Sequence, residues 1–125
     1  MHIVHHAHLH CERSHGERRL VAACRDQGIT GFEVWTMTLD PGAATRELRH
    51  AGELVAIAQS GAGKLLVDGG PQRFTAPCSL LIPSGCTFQV ANNGGAPLQL
   101  VWVCTQAPQP VGDDNPAPFP SDPQP

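Results

Sequence analysis

The chain has 125 residues, 41% of them hydrophobic and 15% charged, with a formal net charge of -3, which is the size of one domain and enough apolar side chain for one packed core. Aromatics are 5% and tyrosine is absent, so the basic, base-stacking surface that nucleic acid requires is not expected. No apolar run approaches the roughly 20 residues of a membrane span.

The first residues, "MHIVHHAHLH", have neither the basic nor the apolar region of a signal peptide, so the expected compartment is the cytoplasm. Five cysteines (Cys11, Cys24, Cys78, Cys86, Cys104) form an odd set without a CxxC pair, which fits reduced thiols acting as small hydrophobes rather than a disulfide framework. Residues 1–17 read as a histidine-rich arm or edge strand. The stretch "HIVHHAHLHCERSH" holds six of the seven histidines. If extended, it sets His6, His8 and His10 on one face, the pattern of a metal chelator. The competing reading is a polar arm that folds over the domain or exchanges between subunits.

From residue 18 to 108 the chain alternates strand-length apolar runs with turn chemistry. The runs are "RRLVAACR", "GFEVWTMTL", "ELVAIAQ", "GKLLVD", "QRFTA", "SLLIP", "TFQVAN" and "LQLVWVCT". Their separators are rich in Gly, Asn, Asp and Pro, and Asp68-Gly69 and Asn93-Gly94 are the strongest turn signals. Such a series predicts an all-β sandwich or barrel with little helix. In "GFEVWTMTL", Phe32, Val34, Thr36 and Thr38 oppose Glu33, Trp35, Met37 and Leu39. Both faces are partly apolar, which predicts a second subunit on one of them and hence a homodimer. Residues 109–125 are dense in proline and read as an extended tail, with Phe119 as its one anchor.

The order of these motifs resembles that of a small single-domain cupin, a double-stranded β-helix or jelly-roll barrel of the RmlC-like type. The first cupin motif is matched by Pro41-Gly42, Leu48-Arg49-His50, Glu53 and "LVAIAQSGAGKLLVDG". The second is matched by "CSLLIPSGCTFQVANN", with Pro83-Ser84-Gly85, Phe88 and Asn92. The resemblance implies a barrel whose interior takes a small molecule, and a divalent metal (Fe, Mn, Ni, Cu or Zn) held by three histidines and a glutamate. Carried over by position, those histidines are Leu48, His50 and Phe88. The glutamate position falls on Leu54 by spacing to Gly61, while Glu53 is the acid nearest His50.

Three answers to the missing ligands remain open at this stage. The barrel has lost its metal and become an apolar pocket oriented by His50, Glu53, Arg46 and Gln59; or it has rebuilt a site from His50, Glu53 and Cys86; or any metal belongs to the N-terminal histidines. Arg46, Leu48 and His50 share one strand face by alternation, so Arg46 is expected near the mouth, where it suits a carboxylate ligand. His50 with Glu53 is the candidate acid–base pair. The expected function is binding of a small organic molecule inside the barrel, as a metal-dependent dioxygenase, isomerase or lyase, or else as a metal-free ligand-binding or sensor module.

Overall fold

Eleven short strands carry almost all of the regular structure in the computed structural model, which describes residues 2–105 and 108–111. In chain order they are β1 (Glu12–Ser14), β2 (Glu17–Ala23), β3 (Glu33–Leu39), β4 (Leu48–Arg49), β5 (Leu54–Ser60), β6 (Ala62–Val67), β7 (Gly70–Thr75), β8 (Cys78–Ile82), β9 (Thr87–Ala91), β10 (Leu98–Cys104) and β11 (Gln109–Pro110). Helix is confined to two 3-10 turns, His6–His8 and Arg25–Gln27. The strands form two antiparallel sheets, one ordered β1-β2-β3-β10-β5-β8 and the other β11-β4-β9-β6-β7, which is the jelly-roll arrangement expected from the sequence.

Alternation fixes which side chains meet between the sheets. Trp35, Met37 and Leu39 of β3, Leu54, Ala56 and Ala58 of β5, and Leu98, Leu100, Trp102 and Cys104 of β10 all point inward and are buried. They meet Phe88 and Val90 of β9 and Leu48 of β4 from the other sheet. The spacing of two residues puts every second side chain on one face, so a slip of one residue would turn this core into surface.

The turns are as specific as the strands. Asp68 and Gly69 both take positive φ, 47° and 84°, in the two-residue loop between Val67 and Gly70, as a primed hairpin turn requires. A second hairpin of this kind joins β1 to β2: His15 and Gly16 have φ of 51° and 80° between the paired Ser14 and Glu17. Only glycine fits at residue 16, because a Cβ there would lie 2.8 Å from that of Ala43. Asn92, buried at the end of β9, donates from Nδ2 to the carbonyls of Leu39 (2.9 Å) and Ala96 (2.8 Å) and accepts from the Gly94 amide (2.9 Å). It thus ties β3 to the loop that carries Asn93-Gly94.

Two regions differ from the sequence reading. Of the two readings of residues 1–17, arm or edge strand, residues 12–14 take the second as the outermost strand of the larger sheet, while the 3-10 turn at His6–His8 breaks the alternation that would have aligned His6, His8 and His10. At the other end, Gln109 and Pro110 pair with Arg49 and Leu48, and the Val111 amide donates to the Glu47 carbonyl at 2.9 Å. The edge of a sheet is where proline can join a ladder without costing an internal bond. The rest of the proline-rich tail, including Phe119, lies outside the described residues.

Candidate functional site

A cavity of about 620 Å³ opens where the β1–β2 hairpin and the C-terminal strand overhang the barrel. Its apolar floor is Trp35, Met37 and Leu48, and charged side chains stand on its walls. The register explains the charges. Glu17, Arg19 and Val21 of β2 lie opposite Leu39, Met37 and Trp35 of β3, whose side chains are buried, so the same pleat turns Glu17 and Arg19 inward.

Each charged group is held by its surroundings. Arg19 pairs with Glu12 at 3.1 Å, and its guanidinium lies 5.0 Å from the centre of the Trp35 ring, a cation–π arrangement. The Trp35 indole N–H points to Glu33 Oε2 at 3.4 Å. Burial pushes the Glu17 carboxyl above its ordinary value of 4.5; the Arg19 charge opposes that, Glu12 adds to it, and Arg46 opposes it. Arg46 enters from the segment before β4, which Thr45 stitches to β9. The Thr45 amide donates to the Val90 carbonyl (2.8 Å), its hydroxyl oxygen accepts from the Val90 amide (3.1 Å), and its carbonyl accepts from Gln89 Nε2 (2.8 Å).

Of the residues expected at the site, Arg46 and Leu48 line this cavity. Phe88 is the cross-strand partner of Leu48, 1% exposed, with its ring 5.7 Å from that of Trp102; it is core beneath the cavity rather than lining. His50 is 2% exposed and borders a second cavity of about 410 Å³ with Arg49, Gly85, Gln109 and Val111. Its Nδ1 lies 2.6 Å from the Gly52 carbonyl oxygen, to which it donates when protonated, and 3.1 Å from the Gly52 amide, from which it accepts in the other tautomer. The imidazole is therefore tied to its own turn. Glu53 is exposed, and Gln59 stands exposed on the outward side of β5, because Leu54, Ala56 and Ala58 take the inward one. The Cys86 thiol is hydrogen-bonded to the Asp68 carboxylate, and burial together with that carboxylate pushes it up, away from the thiolate a metal needs.

The donor set does not fit a metal. The two positions where the resemblance places imidazoles hold the Leu48 and Phe88 side chains packed together in the core. Among the described residues no three His, Cys, Asp or Glu side chains gather as ligands, His50 with Glu53 and Cys86 and the N-terminal His6, His8 and His10 included.

Sequence reasoning missed Glu12, Glu17, Arg19 and Glu33. The run "RRLVAACR" reads only as a strand, whereas its register against β3 sets Glu17, Arg19 and Val21 along the cavity. The signal that was available is the two-residue His15-Gly16 loop between "ERS" and "ERR", which makes the arm a hairpin and fixes the register.

Two antiparallel sheets closed over a buried core, with a ligand-sized cavity at one mouth, define a jelly-roll barrel of the cupin class. The chain belongs to the cupin family, and the cupin domain matches residues 35–104. Among solved structures, the polyketide cyclase RemF from Streptomyces resistomycificus is similar at a TM-score of 0.74 and 18% identity, over 94% of this chain and 87% of that one. A predicted oxalate decarboxylase from Thermotoga maritima follows at 0.73 and 17%, over 85% of this chain and 100% of that one. An RmlC-like cupin from Shewanella frigidimarina gives 0.71 and 18%, over 86% and 92%. At these identities the likeness is one of fold. No curated protein sequence matches the chain.

Proposed function

We propose that this cupin binds a small organic molecule in the cavity under the β1–β2 hairpin, without a metal ion. The observation that carries this reading is the exchange of ligand-forming side chains for core: Leu48 and Phe88 pack against each other, while an adjoining cavity of about 620 Å³ keeps an apolar floor and convergent charges. That volume and lining suit a small-molecule site. The metal-dependent dioxygenase, isomerase or lyase reading needs imidazoles at residues 48 and 88 that this chain lacks. The test is a thermal-shift screen of small organic acids, amides and alcohols. At least one class is expected to raise Tm by about 2 °C or more. Ala44→Phe, which projects a ring into the cavity from its wall, abolishes that shift, and EDTA leaves Tm unchanged. A screen with no stabilising compound, or a Tm that falls with EDTA, refutes the reading.

The reading includes a homodimer. On the outer face of the larger sheet, Val55 lies beside both Leu81 and Val103, with Ile57 next along β5; Leu81 is 72% and Ile57 41% exposed. A contiguous apolar surface of this kind suits a second copy. Sedimentation should give a dimer that Leu81→Lys converts to a monomer; a wild-type monomer at micromolar concentration removes this part. The five cysteines, all free thiols, suit the cytoplasm to which the proposal assigns the protein.

A further inference from the structure

We propose that Glu17 and Arg46 form a proton-linked carboxylate clamp, so that the cavity takes a small organic monoanion with a flat apolar body together with one proton, which Glu17 holds. The inference rests on the cavity being the ligand site and adds the class of ligand and the residues that choose it.

The geometry supplies the two partners. Glu17 lines the cavity from β2 and Arg46 from the segment before β4, and the Arg46 charge acts on the Glu17 carboxyl. The other cation within reach of Glu17 is Arg19, which is held by Glu12 at 3.1 Å and by the Trp35 face. Among the described residues Glu12 is the acid that acts on Glu17. Across the sheet Glu17 is opposed by Leu39, which carries no charge. His10, Arg13 and His15 of the hairpin and Glu33 of β3 also line the cavity.

Burial already disfavours the Glu17 carboxylate. A ligand carboxylate placed on Arg46 brings a like charge to Glu17 and displaces water, and both effects raise its proton affinity further. Once Glu17 is neutral it donates its O–H to the ligand oxygen, and Arg46 pairs with the ligand anion. The number of charges in the cavity is the same before and after, so no buried charge is left uncompensated. Trp35, Met37 and Leu48 form a floor that accepts a ring or an unsaturated chain. The proton joins Glu17 from solvent as the anion enters and returns to solvent when it leaves, with no bond of the ligand broken.

Isothermal titration of the whole chain with benzoate, and with benzamide as its uncharged counterpart, tests this in two buffers of different ionisation enthalpy. Benzoate should bind with uptake of a measurable fraction of one proton, and its affinity should rise as pH falls from 8 to 6, by up to about tenfold per pH unit. Arg46→Met should weaken benzoate at least about tenfold, and Arg46→Lys should recover part of the loss. Glu17→Gln should keep or improve benzoate binding and abolish the proton uptake, a readout that a folding defect does not imitate. Benzamide should bind without proton exchange. Benzoate binding with no uptake, uptake that persists in Glu17→Gln, or indifference to Arg46→Met overturns the clamp. If benzamide binds and benzoate does not, the clamp is wrong while the cavity remains the ligand site. If neither binds up to about 10 mM, the clamp is wrong, and the compound screen decides the cavity on its own.

Discussion

Replacing Phe88 with alanine is expected to lower the unfolding free energy by about 3–5 kcal/mol, the range for a large aromatic removed from a packed core. Phe88 is 1% exposed, paired across the sheet with Leu48 and in ring contact with Trp102. The informative companion is Phe88→His, which returns the side chain that the cupin resemblance places here. The imidazole would be buried among Leu48, Trp102 and their neighbours, with no carboxylate among its described contacts, so this variant should also be destabilised, by about 2–4 kcal/mol, and should gain no stoichiometric zinc. Chemical denaturation measures the first quantity and elemental analysis the second. A Phe88→His protein that keeps wild-type stability and takes up one zinc per chain would mean that the metal centre persists in outline and that Phe88 merely blocks it.

This pair of variants bears on what occupies the positions where the cupin resemblance places metal ligands. Losing one ligand leaves a polar hole that costs free energy until something fills it. Here two facing positions hold apolar side chains that touch each other, so the space between the sheets is closed by packing rather than by solvation. Charged side chains gather instead at the mouth, where the β1–β2 hairpin brings Glu12, Glu17 and Arg19 to the cavity that Trp35 also lines. The indole N–H of Trp102 is buried with no hydrogen-bond partner among the described residues.

The strands of the barrel were legible because their code is local. Alternation sets β3, β5 and β10, and Asp68-Gly69 can hardly be read as anything other than a hairpin turn. The motif order then orders those strands into a cupin. The mouth was not legible for the same reason: its charges reach the cavity only through the register of β2 against β3, a non-local fact, and through a hairpin whose loop, His15-Gly16, lacks the usual Asn or Asp. Leu20 pairs with Thr36 on the outer side, and a bulge between Val21 and Ala23 then sets Ala23 opposite Val34, a break in alternation that the sequence does not announce. Nor does composition reveal that Gln109 and Pro110 close the smaller sheet at its edge, since proline-rich sequence reads as tail until a neighbouring strand offers an edge.

His50→Ala should cost about 2–4 kcal/mol of unfolding free energy, and it decides between a site centred on the one histidine of the barrel and a site at the mouth. The imidazole is almost fully buried and holds the turn that follows β4 through Gly52, while the His50 carbonyl accepts from the Gly85 amide at 3.0 Å. The Ser84 hydroxyl donates to the Ala51 carbonyl beside it, so the two loops are locked together around this ring. Removing it empties a packed site and releases the ring from the Gly52 backbone. The loss should therefore appear as a lower denaturation midpoint with an unchanged m-value, and as faster amide exchange confined to residues 50–53 and 84–85. Asparagine, which can restore one bond to the Gly52 backbone, should recover part of the stability. The opposite result is equally readable: a His50→Ala protein with wild-type stability that has lost metal content or ligand affinity would return the chemistry to His50 and remove it from the Glu17 and Arg46 cavity.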